Sequence, residues 1–234
     1  MVAETISGTT LLLALSGGVL PALLWLWFWL KEDKARPEPR GLIMLAFFAG
    51  MITVPLVVPL EKMTLAISGH IMVQIVLWAA IEELMKYGAA VLAVLRRAAV
   101  DEPLDPIIYM ITIALGFAAL ENTFFLLNPS LDIFGGIITG NLRFLGATLL
   151  HTLASASIGL AMAYSFYKNK VIKRMYVFIG IMFSILLHSL FNFFIINSDG
   201  EKILTVFAFV WIGIILLLLS FEKVKRITNL KIRN

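Results

Sequence analysis

The chain has 234 residues, 60% hydrophobic and 15% charged, with a mean hydropathy of +0.94 and a formal net charge of +4. Its apolar residues come in membrane-length blocks, which marks a polytopic membrane protein and excludes a soluble domain. The absence of cysteine excludes disulfides, thiolate metal sites and a cysteine nucleophile, and basic loops facing anionic headgroups account for the charge with no nucleic-acid partner.

Seven blocks are long enough to cross ~30 Å of hydrocarbon at about 1.5 Å per residue. The first, Thr9 to Leu30, has no basic residues before it and is followed by Lys31, Lys34, Arg36 and Arg40. That order predicts a retained anchor rather than a cleaved signal, with Trp25, Trp27 and Trp29 facing lipid or the interfacial belt. The second block is Gly41 to Leu60. The third, Ile71 to Leu95, carries Glu82, Glu83 and Lys86 in its middle, with His70 as an interfacial loop residue at its start. The fourth, Ile107 to Leu127, carries Glu121 and Asn122, with Asp105 placed to cap it and Pro106 at its first position. The fifth, Ile137 to Tyr167, carries His151. Arg143 near its outer start is expected to snorkel or to shape a substrate entrance, and Gly135, Gly136, Gly140 and Gly146 read as loop or packing positions. The sixth, Met175 to Ile196, carries His188 and Asn192, and the seventh, Ile203 to Phe221, ends in a basic tail, Lys223 to Arg233, expected on the membrane surface.

The loops after the first, third and fifth blocks, together with the tail, hold 15 of the 19 Lys and Arg residues. The positive-inside rule therefore predicts an N-terminus outside and a C-terminus in the cytoplasm of a multi-pass protein in the cell membrane, folded as one integral domain over residues 1–234.

Charged groups near the bilayer centre cost roughly 2.5–3.5 kcal/mol each on insertion scales, so the adjacent Glu82 and Glu83 mark a functional cavity. Counted from the cytoplasmic ends of their helices, Glu82, Glu121, His151 and His188 all fall roughly 21–26 Å deep, in the outer half of the membrane. His188 and Asn192 share a helix face, as do Glu82 with Lys86 and Glu83 with Tyr87. Glu82 and Glu83 diverge by about 100°, so one is expected to act as base and the other to orient a neighbour.

Such groups suit hydrolysis of a carbonyl compound. A buried glutamate activates water while His or Asn donors stabilise the oxyanion. Alternatively His151, His188 and a glutamate hold zinc with an open position, although the chain has no HExxH motif. The two readings stay open on the residues alone.

The run Glu82-Glu83-Leu-Met-Lys86-Tyr87, then Asp105-Pro-Ile-Ile-Tyr109 with Leu120-Glu121-Asn122, then His151, then His188-Ser-Leu-Phe-Asn192, resembles the PrsW family of intramembrane proteases, relatives of the CAAX prenyl proteases. Lys31-Glu-Asp-Lys and Pro37-Glu38-Pro39 look like that family's first loop. Pro106 departs from the expected pattern after the Asp, and Asn192 stands where some members carry Asp, which suits an oxyanion donor. The resemblance implies an all-α protease with a catalytic core over about 71–197, cutting a single-pass membrane protein such as an anti-sigma factor near its extracytoplasmic side. It implies Glu82, Glu83, Glu121, His151, His188 and Asn192 as catalytic residues, with Asn122, Lys86 and Tyr87 orienting. On the residues themselves, no cofactor is required if the mechanism is glutamic, and zinc, on His151, His188 and Glu121, if it is metallic. Two rivals remain: a CAAX-type endopeptidase, whose cavity opens to the cytoplasm, and a proton-coupled transporter using the same Glu and His as a relay.

Overall fold

A computed structural model describes residues 7–33, 36–128, 142–197 and 203–232. These residues form seven α-helices and no strand: α1 Gly8–Glu32, α2 Arg40–Thr64, α3 Ile71–Ala93, α4 Asp105–Leu126, α5 Thr148–Tyr164, α6 Lys170–Asn197 and α7 Ile203–Ile232. A π-helical turn, Arg143–Ala147, runs directly into α5. The expected start of the fifth block at Ile137 lies outside the described residues, as do Lys34, Gly135, Gly136, Gly140, Lys202 and Arg233. α2 runs on to Thr64 rather than stopping at Leu60, which adds Glu61 and Lys62 to its last turn. The basic tail continues α7 without a break.

Six helical segments are long and apolar enough to cross a membrane on their own, among the described residues. α3 is the exception because Glu82, Glu83 and Lys86 fall within any membrane-length stretch of it. The protein is thus a multi-pass membrane protein in which one helix depends on its neighbours for its charges.

The bundle is organised around α4, which packs against α1, α2, α3 and α5. Every residue from Asp105 to Ala119 is buried. A helix apolar all round has no preferred outward face, and here all of its faces meet protein. Close approach is secured by glycine: a Cβ on Gly116 would collide with the Phe47 carbonyl, and one on Gly50 with the Ile113 carbonyl. Small residues at such crossings let two backbones touch where no hydrophobic force separates helix from lipid. Leu12, Leu20, Ile52, Phe178, Leu204 and Phe209 point outward from the surrounding helices.

The tryptophans depart from expectation. Trp29 is fully buried, with Phe28 and Phe221 rings 5.4 and 5.9 Å away. Trp25, one turn earlier on the same face, lies 6.0 Å from both Phe144 and Trp211. Of these three, only Trp27, on the opposite face, is exposed, with the Lys31 ammonium 3.7 Å over its ring. Helix rotation, which three alternating tryptophans do not encode, decides between core and lipid.

Asp105 does not cap α4. The Leu104 carbonyl already accepts from the N–H groups of Ile107 and Ile108 at 2.9 and 3.1 Å, which leaves nothing for an Asp105 cap to satisfy. Its Oδ2 instead accepts from the N–H groups of Asp101 and Glu102, both at 2.7 Å, and closes the preceding loop.

The loops after α1 and α3 meet through Arg36 and Glu102 at 3.5 Å, and α7 joins α1 through Lys225 and Glu32 at 3.2 Å. At this basic end lies a buried acidic layer of Asp33, Glu38, Glu102 and Asp105. Tyr109 donates its hydroxyl to Glu38. Both oxygens of Asp33 and Oδ1 of Asp105 are buried without a hydrogen-bond partner. Burial, then the charges of Glu102 and Asp105, push the Asp33 carboxyl up to about 7, against a smaller opposing pull from Lys225. Burial likewise raises Glu38 and Glu102.

Candidate active site

At the other end of α4 the polar residues of four helices converge. Glu83 is completely buried on α3, yet each of its oxygens has two donors. Oε1 accepts from Lys86 Nζ at 2.8 Å and faces His188 Nδ1 at 3.0 Å. Oε2 accepts from Ser155 of α5 at 2.8 Å and from Ser184 of α6 at 2.9 Å. A buried carboxylate matched this fully is held in one place.

Lys86 reaches both acids. Its Nζ lies 3.1 Å from Glu82 Oε2 and 2.9 Å from His151 Nδ1, and 4.0 Å from the centroid of the Phe117 ring. An ammonium only donates, so His151 Nδ1 is the acceptor and its proton sits on Nε2. That Nε2 lies 3.1 Å from Glu121 Oε2 and donates to it. In the same way the Glu83 carboxylate accepts from the Nδ1–H of His188, which leaves the lone pair of a neutral His188 on Nε2. His188 Nε2 is 3.9 Å from Glu82 Oε2, and the two imidazole rings stand edge to face, 5.0 Å between centroids.

Glu121 is anchored from its other side by Arg143, whose Nε also donates to Asn122 Oδ1 at 2.5 Å and whose guanidinium stacks 3.7 Å over Phe125. Asn122 in turn donates to Thr148 at 3.0 Å. Arg143 therefore does not snorkel. The π-turn it begins carries it inward, where two acceptors on α4 compete successfully with the interface.

A cavity of about 550 Å³ opens beside this network. Glu82, Glu121, Arg143, His151, His188 and Asn192 line it, together with Glu61 and Lys62 from the last turn of α2 and an apolar wall that includes Val54, Val58, Trp78, Phe125 and Phe191. Glu83 and Lys86 do not line it; they lie behind Glu82. The lining comes from the ends of α2, α4 and α6, the first half of α3 and the beginning of α5, opposite the basic loops. The expected grouping of Glu82, Glu83, Lys86, Glu121, Asn122, His151, His188 and Asn192 is thus found. Tyr87 is not part of it: half-buried, it packs against the apolar core.

Ser155, Ser184, Thr148 and Glu61 were not legible as site residues. A signal existed for the serines, because each lies four residues from a histidine, on its basic-loop side. Trp78 fixes the α2–α3 corner by donating to Thr64 Oγ1 at 2.9 Å.

The same residues bear on zinc. Glu82, Glu83, His151 and His188 each offer one donor atom, all within 4.8 Å of one another and all buried. Two imidazoles with carboxylates are the donor chemistry of a hydrolytic zinc site, and an ion held there would take the place of the Lys86 ammonium, which lies 3.1, 2.8 and 2.9 Å from Glu82, Glu83 and His151. Glu121, the expected third ligand, is outside this group, tied to Arg143 and His151.

A family model described as PrsW family intramembrane metalloprotease matches residues 38–219. Among curated proteins, Protease PrsW of Clostridioides difficile (strain 630) is 26% identical over 219 residues, 90% of each chain. Protease PrsW of Oceanobacillus iheyensis is 29% identical over 209 residues, 85% of this chain and 91% of its own. That of Geobacillus kaustophilus is 27% identical over 191 residues, 79% and 80% of the two chains. No solved structure matches the chain. With a polar site inside a multi-helix membrane bundle and a family match across most of its length, the chain belongs to the PrsW family of intramembrane proteases.

Proposed function

We propose that this protease hydrolyses a peptide bond of a single-pass membrane protein, such as an anti-sigma factor, near the extracytoplasmic side, with Glu82 as the base that activates water. The observation that carries the assignment is that Glu82 lines the cavity while Glu83 sits behind it with four donors. Glu82 receives a hydrogen bond from Lys86 alone among the described residues, through Oε2. Its Oε1 is the atom left to take a proton from water.

The oxyanion formed on attack needs donors on the cavity side. Asn192, one turn beyond His188 on the cavity wall, supplies an amide N–H, and the imidazolium form of His188, with Nδ1–H on Glu83 and a second proton on Nε2, supplies another. Glu83 orients His188 through Nδ1, while Glu121 and Arg143 orient His151. The proton taken by Glu82 then passes to the leaving amine. We take residues 71–197 as the catalytic core of a single domain over 1–234, with α2 completing the cavity wall.

A second reading, the metallic one, is favoured by the shared space of Glu82, Glu83, His151 and His188. Zinc held there would lower the pKa of a bound water towards neutrality. In that case the two histidines and one glutamate hold the ion and the other glutamate remains the base. The CAAX-type alternative requires a cavity open at the basic-loop end, and the cavity lies at the opposite end. Family membership favours a protease over a proton relay.

Purified protein mixed with a single-pass candidate substrate tests the assignment. Glu82→Gln is expected to lower cleavage about 10²–10⁴-fold with an unchanged melting temperature. Cleavage by Glu82→Gln at the wild-type rate would sink it. Activity that survives complete metal removal would exclude the zinc reading, and activity restored only by zinc would select it.

A further inference from the structure

The charges on the cavity wall are not evenly matched. Glu82 is answered by Lys86 and Glu121 by Arg143. Glu61 lines the same cavity, yet its carboxylate has neither an ion pair nor a hydrogen bond among the described residues. Lys62 beside it lines the cavity too and forms no ion pair with it.

The placement follows from helix geometry. Val54, Val58 and Glu61 of α2 and its C-cap residue Leu65 all line the cavity, at steps of four, three and four residues along one face. Glu61 interrupts an otherwise apolar stripe. The Trp78 bonds to Thr64 Oγ1 and, at 3.4 Å, to the Glu61 carbonyl fix the backbone here, so the side chain cannot easily be rotated out of the cavity with its helix.

We propose that Glu61 is a specificity residue that recognises a Lys or Arg side chain of the substrate, just outside its apolar segment. The inference rests on the protease reading above, which puts the substrate chain in this cavity. A carboxylate in a partly desolvated wall favours a cation over a neutral or acidic side chain. Outer flanks of membrane proteins are poor in Lys and Arg by the positive-inside rule, so a single basic residue there discriminates among substrates. The apolar stripe around Glu61 suits the stem of a long basic side chain.

The test uses synthetic single-pass peptides, identical except that one Lys, Ala or Asp is stepped through the first turn outside the apolar segment. Binding is measured to the Glu82→Gln protein in nanodiscs, so that nothing is consumed. At one register the Lys peptide is expected to bind about tenfold tighter than the Ala peptide, with the Asp peptide weakest. Glu61→Gln should abolish the ranking and Glu61→Lys should invert it, with melting temperatures confirming that both variants fold. Equal binding of all three peptides, a ranking that survives Glu61→Gln, or no binding at all would overturn the proposal. Cleavage of the same peptides by the wild-type protein reports separately on the base. Charge-ranked binding without any cleavage keeps Glu61 and removes the Glu82 assignment.

Discussion

The two ends of α4 carry buried carboxylates in opposite states. At the cavity end Glu83 is sealed from solvent with two donors on each oxygen. At the basic end Asp33 is 2% exposed with no donor on either oxygen, and Asp105 Oδ1 is equally unmatched. One layer holds a fixed negative charge by building donors around it. The other leaves Asp33 without a donor, and burial shifts that carboxyl towards its protonated form. Burial therefore does not decide what a carboxylate does in this protein; the donors supplied by neighbouring helices do.

The largest effect that would break this contrast is removal of a matched group. Glu83→Ala strands Lys86, two serines and His188, and is expected to lower stability by about 3–5 kcal/mol and abolish cleavage. A melting temperature in detergent equal to wild type would show the network to be dispensable. A smaller loss, about 1.5–3 kcal/mol, is expected for Ser184→Ala, which takes one donor from the Glu83 carboxylate. If the melt of that variant matches wild type while Ser155→Ala shifts it, one serine alone serves Oε2.

The smallest change has the opposite sign. A carboxyl raised from its usual 3.8 to about 7 binds its proton more tightly in the native state than in the unfolded one. Stability from Asp33 is then complete below the unfolded value and falls as pH rises through about 7. Asp33→Asn is expected to gain about 1–2 kcal/mol at pH 8 and nothing at pH 4. Denaturation measured at both values checks it, and a gain independent of pH would mean that the Asp33 charge is not the cause.

The number of helices and the shared level of the polar groups along them were legible because both depend on counting residues along a chain. Helix rotation was not. In a bundle whose interior and surroundings are equally apolar, no amphipathic stripe says which side of α1 or α4 faces protein. Trp29 was thus read as lipid-facing, although it is core, and of the two readings of Arg143 the snorkelling one fails, because Arg143 grips α4 at the cavity wall. Helical geometry alone established that Glu82 and Glu83 diverge. Which one faces the cavity depended on Ser155 and Ser184, polar residues too common in membrane helices to mark a site by themselves.

The partners of α3 lie late in the chain. Its acids and Lys86 are matched by His151, Ser155, Ser184 and His188, the last of them 105 residues after Glu83. At a synthesis rate of about 5–20 residues per second, roughly 5–20 s pass before that set is complete. Until then two carboxylates share one ammonium, in a segment where each unmatched charge disfavours entry into lipid by roughly 2.5–3.5 kcal/mol. Biogenesis is therefore ordered by chemistry as well as by position: the third helix made is finished only when the sixth arrives.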